Sequence, residues 1–403
     1  MELNLSKIQE AQNNIKGAVR RTPLFYTSTY SERCGCSVYL KCENKQKTGS
    51  FKLRGAFNKL VSLTEEEKSK GVIASSAGNH AQGVAFAATS FGVKATIVMP
   101  LTAPLSKVAA TKGYGAEVVQ AGQVYDECYA RAVEIQKETG ATFLHPFNDV
   151  AVMAGQGTIG LEIMEDLPKV DVVLVPIGGG GMISGIATAL KSMKPDIRVI
   201  GVQAEIIAST KASLDKGQVV TLPGAKSLAD GIAVATPGSE CFKYIQKYVD
   251  EVVTVTEDEI ALAMFNLMER SKLVAEGSGA VPLAALLAGK VSGIEGKNVV
   301  ALVSGGNVDI ATSAKVIERE LIMLHRRVRF SVDLPDKVGT LGTLISDISK
   351  LGGNVVTARQ DTNWSEKGID FAIVNFEVSA ESPEHGKHMV EELKAKGYIV
   401  SSK

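Results

Sequence analysis

The sequence lacks any imbalance of charge: 44 lysines and arginines face 44 aspartates and glutamates among 403 residues. Without a basic excess there is no electrostatic footprint for nucleic acid or for an anionic membrane surface. The partners left to expect are small molecules and other subunits, so a homo-oligomer, dimer or tetramer, is anticipated. Cysteine is scarce and odd in number. Cys34, Cys36, Cys42, Cys128 and Cys241 form no disulfide framework, and reduced thiols are expected. The cluster Cys34, Cys36, Cys42 has no histidine nearby and no zinc-site spacing, so no metal site is expected. The first residues, Met1-Glu2-Leu3-Asn4-Leu5-Ser6-Lys7, lack the basic and apolar regions of a secretory signal, which makes a cytoplasmic location the default. Residues 172–190 carry no charge and could span a bilayer by length alone. Pro176 and the run Gly178 to Gly181 break that stretch, as a buried strand, a glycine loop and a packed helix would require.

What is present is the composition of an ordinary folded protein, 45% hydrophobic and 22% charged, in a chain too long for one core to organise. From about residue 38 to 310, short apolar runs alternate with longer stretches of helical period, the pattern of parallel sheets covered by helices. Buried strands are expected at 71–75, 95–98, 117–119, 170–175, 199–202 and 298–303, and helices at 125–139 and 257–272. The fold class is α/β, doubly wound. The character changes near residue 325. Residues 328–334, 340–351, 354–360, 369–378, 384–396 and 398–401 read strand, helix, strand, strand, helix, strand, the ferredoxin-like βαββαβ order. The expected domains are therefore 1–325 and 326–403.

Four motifs carry chemistry. In Thr48-Gly49-Ser50-Phe51-Lys52-Leu53-Arg54-Gly55-Ala56, glycine and serine mark a helix start and place Lys52 in the first turn. The positive end of a helix disfavours an ammonium there and helps Lys52 act as a neutral amine. Ser75-Ser76-Ala77-Gly78-Asn79-His80-Ala81-Gln82-Gly83 follows a strand and opens a helix, so its turn offers N–H groups to an anion such as a substrate carboxylate. Gly178, Gly179, Gly180 and Gly181, with Met182, follow an apolar strand and permit close backbone approach to a phosphate. No G-K-[ST] follows, which excludes a Walker A loop. Ser304-Gly305-Gly306-Asn307 also lies just beyond a strand. Three of these motifs sit at strand carboxyl ends, where open α/β sheets bind ligands. Gly155-Gln156-Gly157-Thr158-Ile159-Gly160 fits G-x-G-x-x-G but lacks the acidic residue about 20 positions on that a dinucleotide site needs.

At these residues the sequence resembles the tryptophan-synthase-like, fold type II pyridoxal-phosphate enzymes, and within them the threonine ammonia-lyases. The likeness is carried by Ser76-Ala77-Gly78-Asn79-His80-Ala81-Gln82-Gly83-Val84-Ala85-Phe86 together with the block around Lys52, and it covers essentially the whole chain. It implies two α/β lobes with parallel sheets and, in the tail, an ACT regulatory module whose first loop reads Asp333-Leu334-Pro335-Asp336-Lys337-Val338-Gly339-Thr340-Leu341. It implies pyridoxal 5'-phosphate as cofactor. Lys52 would hold it and move the α-proton, Phe51 would pack on its ring, Asn79 would bond the ring hydroxyl, Gly178 to Gly181 and Met182 would cradle the phosphate, and Ser304 would face the ring nitrogen. The substrate carboxylate would rest on Ser76, Ala77, Gly78, Asn79 and His80, while Glu276 would line the pocket or end a helix. The reaction implied is loss of water and ammonia from L-threonine, with L-serine as a further substrate and a small effector on the tail. Racemase relatives place a serine where this chain has Ala77. A serine racemase, a dehydratase for serine or hydroxyaspartate, and a non-catalytic amino-acid sensor remain the alternatives.

Overall fold

The apolar runs become strands of two sheets in the first of two compact units, Met1–Val308, of a computed structural model that describes residues 2–361 and 367–402. The larger sheet has the order Leu24–Tyr26, Ser37–Cys42, Asn298–Val303, Val172–Pro176, Arg198–Ala204, Glu251–Val255, parallel except for the first strand. The smaller has the order Glu117–Gln120, Ala95–Met99, Val72–Ser75, Thr142–Phe143, all parallel. Every residue of Val172–Pro176 and Val72–Ser75 is buried, the signature of strands covered by helices on both faces. Residues 172–190 divide as the sequence requires, into a strand, a glycine loop and the helix Gly181–Met193. No helix among the described residues is long and apolar enough to cross a membrane.

The second unit, Asp309–Lys403, has one antiparallel sheet in the order Asn354–Asp361, Phe371–Ser379, Arg327–Pro335, Ile399–Ser402. That order, with the helices Thr340–Lys350 and Pro383–Ala395 between the strands, is the ferredoxin-like arrangement. Alternation along Phe371–Ser379 buries Ala372, Val374, Phe376 and Val378 and leaves the residues between them part-exposed. The division at Val308 falls ahead of residue 325. Helix Ile310–Met323 goes with the second unit, and its Glu318 pairs with Arg327 at 3.2 Å and Arg329 at 3.4 Å.

Two devices fix the helix Lys52–Val61 in the first unit. Arg54 is wholly buried, and its guanidinium bonds Glu43 at 2.8 and 2.9 Å, Glu162 at 2.7 and 2.9 Å and Thr158 at 3.1 Å. Lys41, equally buried, completes the cluster at 2.6 Å from Glu162. Burial alone would push the Glu43 carboxyl up; the Arg54 guanidinium outweighs it and holds the group below its ordinary value. The second device is close helix approach. A Cβ at Gly55 would lie 2.8 Å from Val152 O, one at Gly157 would lie 2.8 Å from Gly185 O, and one at Gly160 would lie 3.1 Å from Ile186 O. The G-x-G-x-x-G pattern thus lies inside the buried helix Val150–Asp166, where it seats that helix against Lys52–Val61 and Gly181–Met193.

Arg54→Ala would leave the Glu43 and Glu162 carboxylates buried beside a single lysine, a change expected to cost about 3–5 kcal/mol. A urea titration followed by circular dichroism should show that fall in the transition of the first unit, and an unchanged midpoint would contradict it.

Candidate active site

Strand ends bring the sequence motifs together. Val72–Ser75 runs into Ser76-Ala77-Gly78 and the helix Asn79–Ser90. Val172–Pro176 runs through Ile177 to Gly180 into Gly181–Met193, and Asn298–Val303 runs into Ser304. Lys52 is the first residue of its helix. Its loop is stapled to the Ser304 motif: Phe51 N–H donates to Ser304 O at 3.1 Å, Gly306 N–H donates to Gly49 O at 2.9 Å, and Ser50 bridges Gly305. Gly49 takes a left-handed φ of 73°, and a side chain there would run into Asn307. One cavity of about 750 Å³ results. It is lined by Phe51, Lys52, Ser76, Ala77, Gly78, Asn79, His80, Gly178, Gly179, Gly180, Gly181, Met182 and Ser304, every residue singled out from the sequence, and by Glu276.

The glycine loop is shaped first by the protein around it. Side chains at Gly179 or Gly181 would run into Phe147, and one at Gly180, φ 97°, would lie 2.9 Å from Cys241 Cβ. With Cβ atoms excluded, the backbone itself faces the cavity, and the first turn of Gly181–Met193 has N–H groups with no acceptor inside the helix. The neighbouring loop is narrower as an anion site than its sequence indicates. Ser76 N–H is already bonded to Val98 O at 3.1 Å, and the Ser76 hydroxyl accepts from Gly78 N–H at 3.2 Å. His80 Nε2 meets Leu144 O at 2.8 Å.

Burial depresses charge at Lys52, His80, His145 and Glu276. The Lys52 amine, 2.9 Å from Pro146 O, is brought down to about 8 by burial, with Cys241 and Glu276 opposing only in part. Burial, then the Lys52 charge, brings His80 down to about 3 and His145 to about 4. Glu276 goes the other way. Burial and then Asp230 push its carboxyl up to about 7, although Asn79 donates to Glu276 Oε1 at 2.7 Å. Ser304 Oγ donates to Ser278 O at 3.4 Å, while the buried hydroxyls of Ser75 and Ser278, both lining the cavity, have no hydrogen-bond partner.

Several lining residues have no signal in the sequence. His145, Pro146 and Phe147 follow a strand of two residues, Thr142–Phe143, too short to show a period. Asp230 to Thr236 lie in a segment with one turn of 3₁₀ helix, and Lys107, Asp126 and Tyr129 sit on helices whose patterning speaks only of packing. Ser75 opens a motif that was legible and Ser278 lies two residues beyond Glu276, and only their missing partners set them apart.

With the Lys52 amine so depressed, acylation of Lys52 in cofactor-free protein should be half-maximal near pH 8, below the ordinary lysine value of 10.5. Mass spectrometry of the labelled peptides would measure it. Labelling that rises only with the bulk lysines would show a solvated amine.

Comparison with known proteins agrees with the geometry. Residues 15–305 match the family model "Pyridoxal-phosphate dependent enzyme". The chain is 50% identical over 398 residues to the L-threonine ammonia-lyase of Thermotoga maritima, covering 99% of each chain. Among solved structures, maize serine racemase superposes with a TM-score of 0.76 at 36% identity, over 81% of this chain and 100% of that one. The processed form of threonine deaminase isoform 2 from Solanum lycopersicum gives 0.74 at 38% identity, over 78% and 93%. With the matched span covering most of the chain and the strands that end at the cavity, the chain belongs to the pyridoxal-phosphate dependent enzymes.

Proposed function

We propose that the chain is an L-threonine ammonia-lyase that also accepts L-serine, releasing 2-oxobutanoate from threonine together with ammonia. The observation that carries this reading is the Lys52 amine, part-neutral at neutral pH and facing the same cavity as a backbone-lined glycine loop. The cavity suits the family's cofactor: the orphaned Ser75 and Ser278 hydroxyls await a ligand, and along Gly178 to Gly181 the wall carries no side chain of its own. Bound pyridoxal phosphate supplies an electron sink for negative charge at the substrate α-carbon. Lys52 would hold it and then take the α-proton on Nζ. Gly178 to Gly181 and Met182 would meet the phosphate with N–H groups, Phe51 would pack on the ring, Asn79 would donate to the ring hydroxyl, and Ser304 would face the ring nitrogen with a neutral hydroxyl. That neutral partner leaves the nitrogen less protonated than a carboxylate would, which favours elimination over chemistry needing a long-lived carbanion.

The turn from Ser76 to His80 would take the substrate carboxylate through the N–H groups that Val98 O and the Ser76 hydroxyl do not already hold. Ala77 argues against racemisation, since a methyl group donates no proton to the opposite face of the α-carbon. The second unit is read as an ACT module that binds a small effector and tunes the first. Its sheet order supports this, as does a smaller cavity of about 370 Å³ lined in part by Asp333, Pro335 and Thr340. Balanced charge and free cysteines support a cytoplasmic homo-oligomer.

Keto-acid release from L-threonine and L-serine tests the reading directly. Lys52→Ala should lose activity by at least about 10²- to 10⁴-fold. Near-normal turnover would overturn the assignment. Wild-type protein should form no D-serine from L-serine, and Ala77→Ser is the variant in which D-serine should first appear; rapid racemisation by the wild type would favour the racemase. For the tail, titration of isoleucine, valine and adenine nucleotides should shift the apparent affinity for threonine several-fold to a hundredfold, a coupling of about 1–3 kcal/mol. A chain ending at Val308 should lose that response, and retention would place the effector site in the first unit.

A further inference from the structure

The cavity contains a closed hydrogen-bonded ring that the reading above leaves unused. Asn79 Nδ2 donates to Glu276 Oε1 at 2.7 Å, Asn307 Nδ2 donates to Asn79 Oδ1 at 2.7 Å, and the backbone N–H of Asn307 bonds the Glu276 carboxyl. Asn307 Nδ2 also donates to Thr48 O at 2.8 Å, which ties the ring to the loop ahead of Lys52. A primary amide can be turned end for end with no change of shape, so its direction is set only by what surrounds it. Here an acceptor stands on one side of Asn79 and a donor on the other. Turned over, the amide would set nitrogen against nitrogen and oxygen against oxygen. One Asn79 N–H is then left for a ligand, with its direction fixed.

Glu276 is placed at some expense for this contact. It stands immediately before the helix Gly277–Leu287, where an acidic side chain could cap the first turn, yet it makes no cap bond. It is only 6% exposed, and its hydrogen-bond partners are amide groups rather than a cation. Gly305 leaves room for it, because a Cβ there would run into Glu276 Oε1. The charged groups that face it are Asp230 from the turn Asp230–Ile232, Lys107 from the helix Leu105–Gly113, and Lys52 across the cavity.

We infer that Glu276 is a positioning residue for the cofactor's ring oxygen, acting through Asn79 within the ring of Glu276, Asn79 and Asn307. This rests on the reading that Asn79 bonds the ring hydroxyl. The ring also responds to pH. Burial brings the Glu276 carboxyl up to about 7, so above that pH the carboxylate accepts from Asn79, and below it a carboxylic acid competes as a donor and loosens the amide.

The test uses the full-length holoenzyme with Asn79→Ala, Glu276→Ala, the double variant and Glu276→Gln. The readouts are cofactor affinity by spectroscopic titration, the cofactor absorption spectrum between pH 6 and 8 (about one unit either side of the carboxyl), and kcat with KM. Asn79→Ala and Glu276→Ala should each weaken cofactor binding by about tenfold, and the double variant should be no weaker than either. Glu276→Gln, which still offers Asn79 an acceptor, should stay within about threefold in affinity while losing the spectral change centred near pH 7. The inference is overturned if Asn79→Ala alters affinity and spectrum while Glu276→Ala leaves both unchanged, or if the two effects multiply in the double variant. Should Glu276→Ala fail to fold, the glutamine variant decides alone, and an unaltered pH dependence of its spectrum sinks the proposal. An Asn79→Ala variant with wild-type spectrum and affinity would instead remove the reading of Asn79 on which the proposal stands, so the two failures are distinct.

Discussion

Everything in the cavity depends on how the buried guanidinium of Arg54 holds its helix. Residues two apart on a helix point to roughly opposite sides, so a clamp on Arg54 aims Lys52 away from it. Arg54 faces inward to Glu43, which follows strand Ser37–Cys42, and to Glu162 on helix Val150–Asp166. Lys52 faces the cavity. In the cluster the cations Lys41 and Arg54 meet the carboxylates Glu43 and Glu162, and Asp166, 3.8 Å from Lys41, is itself paired with Arg21, so the charges are largely matched. Of the carboxylates, Glu276 bears on the Lys52 amine and Glu43 and Glu162 do not, which leaves burial in control of its protonation. An apolar cluster of the same volume could be as stable. The bidentate contacts to two separate elements add direction, which oil-like packing would not.

Glycine does two different jobs within a few ångströms. At Gly55, Gly157, Gly160 and Gly185 it removes side chains between helices, so that backbones touch and the helix of Lys52 is held at fixed depth. At Gly179, Gly180 and Gly181 the missing Cβ positions are filled by Phe147 and Cys241, and the loop is pressed into shape from the protein side. A glycine motif read for the ligand it admits is therefore only half read. The same residues also report what packs behind them, as G-x-G-x-x-G at Gly155 does for three helices.

How much was legible follows from what is local. Lys52, the turn around Asn79, the glycine loop and Ser304 were visible because each is a run of neighbouring residues at a strand or helix end, and all of them line one cavity. The βαββαβ order of the tail was visible because alternation along strands such as Phe371–Ser379 is strict. What stayed hidden is non-local. Phe147 matters by filling the Cβ positions of distant glycines, and Ser75 and Ser278 by lacking a partner. Glu276 sits before a helix like many acids, and only folding reveals that its partner is Asn79 rather than its own first turn. The start of the second unit was obscured because helix Ile310–Met323 has the same period as the helices before it, while the ion pairs of Glu318 lie later in the chain.

The distribution of charge in the cavity has a common logic. Lys52, His80 and His145 are all moved toward their neutral forms, and Glu276 is moved toward its acid form. A site that must receive an anionic ligand could do so with permanent cations, but each would hold a charge that the chemistry then has to overcome. Here the donors are backbone N–H groups and hydroxyls, whose direction is fixed by helix starts and whose strength grows as water is displaced. The cost is borne by the empty protein, which must keep the Ser75 and Ser278 hydroxyls and a lysine amine out of water without full partners. A ligand that satisfies those groups recovers that cost in its affinity and stabilises the folded chain increasingly as its concentration rises above Kd.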